Sequence, residues 1–108
     1  MASSKDYIEF VMDELSHING VTYRPMMGEY IIYYMGKVIG GVYDDRFLVK
    51  RTPSAEKILS GAPLELPYEG GSKMILVEDM ENRELTEKLF YAMIDELPAT
   101  IKKKKSLT

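Results

Sequence analysis

Met26–Lys50, MMGEYIIYYMGKVIGGVYDDRFLVK, decides the fold of this chain. It reads as three consecutive antiparallel strands joined by two very short turns. Tyr30–Met35 is apolar or aromatic at every position, whereas a strand with one wet face should alternate apolar and polar residues. Alternation of side chains along a strand sends Tyr30, Ile32 and Tyr34 one way and Ile31, Tyr33 and Met35 the other. Both faces of this sheet therefore need a cover. Helices elsewhere in the chain can supply one of them, and the identity of the other is the functional question.

Working outward, Gly36 supplies the positive φ of a tight hairpin between strands Glu29–Met35 and Val38–Tyr43. Asp44-Asp45 makes the next turn, before a strand at Arg46–Lys50. Gly40-Gly41 inside a strand predicts a bulge or a close backbone approach. Val21–Arg24, stopped by Pro25, reads as a first strand at a sheet edge.

Upstream, Ser3 or Ser4 can cap a helix, and Ser3 stands at capping-box spacing from Asp6. Tyr7, Ile8, Val11, Met12, Leu15 and Ile18 form its apolar stripe, and Asn19-Gly20 ends it. Downstream, Thr52-Pro53 opens a short helix to about Ser60. Residues 62–71 read as mostly loop, with an extended piece at Leu64–Leu66, and Lys73–Val77 as a last clear strand. Asp79 or Asn82 caps a final helix in which Leu85, Leu89, Met93 and Leu97 recur every four residues, until Pro98 closes it.

The order predicts an α+β domain of two layers. One antiparallel sheet of five or so strands is expected, with helices at both termini and one short helix between strands. Parallel winding is not expected, because three successive strands lack a crossover helix.

The 108 residues are 45% hydrophobic and 29% charged, which suits one soluble globular domain, read as residues 1–101. No apolar run has the length of a membrane-spanning helix. The N-terminus lacks the basic-then-apolar pattern of a secretory signal, so a cytoplasmic location is expected. The chain has no cysteine, which removes disulfides, thiolate metal sites and thiol nucleophiles. Lys102–Lys105, in a basic tail read as disordered, hold four of the fourteen basic residues. That leaves the body with ten basic against seventeen acidic side chains, a poor match to a phosphate backbone. Direct nucleic-acid binding is not expected of it.

Met26-Met27-Gly28, then Tyr30, Gly36-Lys37 and Asp44-Asp45-Arg46 before an apolar strand ending in Lys50, resemble the N-terminal domain of the TfoX/Sxy family. The helix up to Gly61, the proline-rich loop with Tyr68-Glu69, and the last strand and helix follow in that family's order. The likeness spans about Tyr7 to Leu97. Met27, Glu29 and Ile31 stand where the family pattern has Phe, Gly and Gly, and Met35 stands at the turn Asp. The resemblance implies an α+β fold similar to type III secretion chaperones, which commonly dimerise. It also implies a role like that of competence regulators, which co-activate transcription with the cyclic-AMP receptor protein. Their second, helical domain is expected to be missing here.

The chemical motifs weigh against an enzyme. His17 is the single histidine and suits a helix C-terminus better than a metal site or a Ser-His-Asp arrangement. Asp44, Asp45, Arg46 and Glu29 could serve acid/base chemistry only if they converged in a cleft, and aspartate is a turn residue in its own right. Glu78-Asp79-Met80-Glu81 reads as an acidic helix start. Gly40, Gly41, Gly70 and Gly71 do not follow a phosphate-loop spacing. No catalytic residue, metal or cofactor is therefore expected.

The aromatic side chains carry more. Of eight tyrosines and three phenylalanines, five lie between Tyr30 and Phe47. A bare aromatic sheet face would be a larger apolar patch than monomers usually expose. Tyr30, Tyr33, Tyr34, Tyr43 and Phe47 are thus expected to line an interface, on one sheet face or both, with a second copy of the chain or another protein. The second reading is a small-ligand pocket around Gly40-Gly41.

Overall fold

The computed structural model describes residues 3–98. Elements follow in the order α1 (Lys5–Glu14), β1 (Val21–Met26), β2 (Glu29–Tyr34), β3 (Lys37–Val42), β4 (Phe47–Val49), α2 (Pro53–Ile58), β5 (Leu64–Glu65), β6 (Met74–Leu76) and α3 (Arg83–Met93), with a 3₁₀ turn at Ile94–Glu96. The fold is α+β. Six strands form one sheet in the order β1-β2-β3-β4-β6-β5, and every pairing is antiparallel. The basic segment Lys102–Lys105 lies outside the described residues.

Three successive hairpins share one device. Each turn puts two residues at positive φ: Met27 (50°) with Gly28 (86°), Met35 (52°) with Gly36 (82°), and Asp44 (54°) with Asp45 (57°). Two positive φ values in a two-residue loop match the twist of the flanking strands, which is why short hairpins favour this geometry. At the third turn, Tyr43 and Arg46 exchange both backbone hydrogen bonds, at 2.9 and 3.0 Å.

The bulge signalled by Gly40-Gly41 lies on β3. Ile32 faces Gly40 while Tyr33 faces Val38, so Ile39 is the extra residue. A side chain at Gly40 would run into the Leu48 carbonyl and the Val49 backbone, and one at Gly41 would meet the Tyr30 carbonyl and the Tyr43 ring. The missing side chains let β4 and Tyr43 come close.

α1 and α3 cover one face of the sheet. Ile32, Tyr34, Ile39, Val42, Phe47, Val49 and Ile75 pack there with Ile8, Val11, Leu15, Leu89, Phe90 and Met93. Phe90 lies between Tyr34 and Phe47, with ring centroids 5.3 and 6.4 Å away. Full burial of an Ile, Leu or Phe side chain contributes roughly 1.5–3 kcal/mol, so this layer is the main source of stability.

Several boundaries differ from the sequence expectations for physical reasons. Ser4, not Ser3, caps α1 by accepting the Tyr7 N–H at 3.1 Å. α1 stops at Glu14, because the Ser16 hydroxyl and N–H both turn back to the Asp13 carbonyl; Ile18 stays in the core regardless. β1 continues through Pro25, paired opposite Tyr30, which an edge strand tolerates. Asn82 rather than Asp79 caps α3, accepting the Leu85 N–H at 3.1 Å. Thr52 caps α2 as expected, through the Ala55 N–H.

Candidate functional site

The five aromatic side chains expected at an interface divide between the two faces. Tyr34 and Phe47 are buried beneath the helices, and Tyr30 is half-buried against the same core, edge-on to Tyr23 at 5.7 Å. Tyr33 and Tyr43 are on the outer face. Tyr33 is half-buried, with the Arg24 guanidinium 5.9 Å from its ring centroid. Tyr43 is buried, because the Tyr68 ring stands edge-on to it at 6.0 Å. The cover that the sequence left open is thus supplied in part by this chain: the loop after β5 lays Pro67 and Tyr68 over the outer face, where Leu48 is fully buried.

Arg46 fastens that loop. Its Nε donates to the Tyr43 carbonyl at 3.1 Å, Nη1 to Glu65 Oε1 at 2.6 Å and Nη2 to the Leu66 carbonyl at 3.1 Å. A planar guanidinium with several donors suits such a clamp.

Glu29 and Asp45 do converge, but around the Ser3–Ser4 helix start, and Asp44 joins them through its backbone N–H. The Ser3 hydroxyl donates to Glu29 Oε1 at 2.7 Å and accepts the Asp45 N–H at 3.0 Å. Glu29 Oε1 also accepts the Asp44 N–H at 3.0 Å, and Asp45 Oδ1 accepts the Ser4 N–H at 2.8 Å. These carboxylates satisfy backbone donors that the turn and the helix start would otherwise leave unpaired. Among the described residues no group of three or more His, Asp and Glu side chains could hold a metal ion.

Beside this network lies a groove of about 530 Å³ lined by Met26, Met27, Glu29, Tyr43, Asp44, Arg46, Leu66, Pro67, Tyr68 and Glu69. Its rim is apolar and exposed: Met27 is 93% exposed, and Met26, Leu66 and Tyr68 also face solvent. The charges are mainly acidic, because Glu65 already pairs with Arg46, the one cation of the lining. Burial, then Tyr68 and Glu29, push the Tyr43 phenol above its ordinary range, so it stays an un-ionised donor or acceptor at the groove wall.

Tyr43, Pro67 and Tyr68 also wall a second depression, of about 680 Å³, with Gly40, Lys50, Arg51 and Lys73 in its lining. The Gly40 region expected for a pocket is therefore beside one. Lys50 and Lys73 carried no signal in the sequence, since their approach depends on the path of the loop after β5. Gly36 and Lys37 are far from chemistry: Gly36 completes its turn, and Lys37 Nζ donates to the Ile94 carbonyl at 3.1 Å.

His17 joins α1 to α3. Its Nε2 lies 3.1 Å from the Arg83 carbonyl, to which it can only donate, and Nδ1 is buried without a partner among the described residues. This is a structural placement at the end of one helix and the start of another.

No family model matches the chain, and no solved structure matches it. It is 30% identical over 80 residues to the "Uncharacterized 12.7 kDa protein in trpE 5'region" of Spirochaeta aurantia, an alignment covering 74% of this chain and 70% of that protein. The chain belongs to the family of that Spirochaeta aurantia protein.

Proposed function

We propose that this chain is a non-enzymatic, cytoplasmic protein-interaction domain with a regulatory role of the kind implied by its resemblance to TfoX/Sxy N-terminal domains. The observation that carries this reading is Met27, held at φ 50° and 93% exposed on the rim of the groove. The hairpin twist calls for a positive φ here but not for a large apolar side chain, which is strained in that region, and among the described residues Met27 gains little packing in return. Such strain points to a use outside the monomer. Methionine adapts its shape to a partner surface. With Met26, Leu66 and Tyr68 it forms an apolar rim around acidic Glu29, Asp44 and Glu69. The fitting occupant is an apolar segment of a protein that carries Lys or Arg beside its anchoring side chains.

Photo-crosslinking from position 27 in the cytoplasm tests this, with position 88 on α3 as the control. The expected result is a discrete adduct at 27, absent at 88 and lost with Leu66→Asp, whose partner peptide is basic and apolar. No adduct at 27, or the same adducts at both positions, would overturn the reading.

Homodimerisation has its own support. Ile31, Tyr33 and Val38, on the outer face, are only half-buried. Light scattering at micromolar concentration should then give twice the chain mass, with the dimer weakened by Tyr33→Ala. A monomer at every concentration would remove this form of the proposal.

A further inference from the structure

We infer that the second depression on the outer face is a binding site for a small organic anion with a flat, unsaturated body. Its volume of about 680 Å³ falls in the range of small-molecule pockets, roughly 300–1,000 Å³. Three of the ten basic residues of a body that carries seventeen acidic ones, Lys50, Arg51 and Lys73, line this one depression. Only Arg51 has a carboxylate, Glu56 Oε2 at 2.7 Å. Among the described residues Lys50 and Lys73 form no ion pair. Glu56 lines the depression too and offsets Arg51, so the local positive potential that attracts an anion rests on Lys50 and Lys73.

The apolar half of the ligand is set by the walls. Val38, Met74, Pro67 and Tyr68 supply the apolar part of the lining. The Tyr68 ring, though exposed on one side to solvent, contacts Tyr43 edge-on at 6.0 Å and lies close to Gly71, where an added Cβ would sit 2.8 Å from it. An aromatic ring with such contacts offers a flat face at little entropic cost on binding. An aromatic carboxylate, sulfonate or phosphate ester would place its ring against Tyr68 and its charge between Lys50 and Lys73. A long polyanion does not fit, because the acidic groove begins on the other side of the same wall.

The test uses the full chain and anilinonaphthalene sulfonate, a flat aromatic sulfonate that fluoresces when bound. Saturable binding to one site is expected. The Lys50→Ala/Lys73→Ala double variant should weaken it about tenfold or more, and Tyr68→Ala should weaken it as well. Lys5→Ala/Lys88→Ala, on the helices, should leave it unchanged. Circular dichroism must show all variants folded, since the dye also lights up loosened cores. Naphthoate should displace the dye at lower concentration than inorganic phosphate. Absence of saturable binding, equal affinity in the two double variants, or equal competition by phosphate would each overturn the assignment. Tyr68 lines both depressions, whereas Lys50 and Lys73 line only this one, so the lysine double variant lets the two proposals fail separately.

Discussion

The Ser3 hydroxyl lies 2.7 Å from Glu29 Oε1, although 26 residues separate them in the chain. With the Asp45 N–H bound to the same hydroxyl, one small side chain joins the start of α1 to two hairpin ends. Ser3 is buried, so its loss takes the acceptor from the Asp45 N–H and leaves Glu29 Oε1 with the Asp44 N–H alone. Ser3→Ala is expected to destabilise by about 1–3 kcal/mol. Urea denaturation should show a lower midpoint with an unchanged slope. Ser4→Ala removes an exposed cap instead and should cost about 1 kcal/mol.

Met27 and Met35 occupy equivalent hairpin positions at nearly the same φ, 50° and 52°, yet their surroundings differ. A Cβ at Gly20 would overlap the Met35 side chain, so Met35 has a packing partner, whereas Met27 projects into solvent. Asparagine tolerates the left-handed region without the steric penalty of a longer side chain. Met27→Asn is therefore expected to stabilise the fold by about 1 kcal/mol, and Met35→Asn to gain less or lose. Thermal melts of the two variants check this. With the crosslinker moved to position 69 on the same groove, Met27→Asn should lose the adduct, so that gained stability and lost binding are read from one substitution.

How much of this was legible depended on whether a signal was local. The alternation in Tyr30–Tyr34 assigned each side chain to its face, and Gly40-Gly41 announced the bulge, because both follow from backbone geometry within a few residues. Thr52-Pro53 marked its helix for the same reason. Ser3 was read as a possible cap, since its real partners, Glu29 and Asp45, are brought near only by the folded sheet. The cover on Tyr43 could not be read either. It comes from Pro67 and Tyr68, whose loop looks like any proline- and glycine-rich connection until Arg46 clamps it. Likewise, Lys50 and Lys73 come to line one depression only through the path of the loop after β5.

Glu96 ties the last turn to α2. Its carboxylate accepts the Ser54 hydroxyl at 2.6 Å and the Ser54 N–H at 3.0 Å. These bonds, the hydroxyl first, hold its pKa below the ordinary glutamate value. A folded-state pKa below the unfolded one means stabilisation that is present above the unfolded value and is lost as pH falls through the folded value. Ser54→Ala should raise the Glu96 midpoint in a carboxyl NMR titration towards the ordinary value. It should also make the melting temperature fall less steeply with acid. Glu96 is exposed, so the effect on stability is small, and the titration is the sharper measurement.

Phe90 carries the packing between sheet and helices, because its ring touches both Tyr34 on β2 and Phe47 on β4. It is fully buried, and truncation leaves a cavity bordered by two aromatic rings that cannot both move in to fill it. Phe90→Ala is expected to cost about 3–5 kcal/mol, a large share of the roughly 5–15 kcal/mol typical of a whole domain. Phe90→Leu keeps most of the volume and should cost less. Because Phe47 borders the same space, the pair should not be additive. A cycle of Phe47→Leu, Phe90→Leu and the double variant is expected to show coupling of about 0.5–3 kcal/mol. Additive losses in that cycle would mean that the two rings are held by their own strands and helix, not by each other.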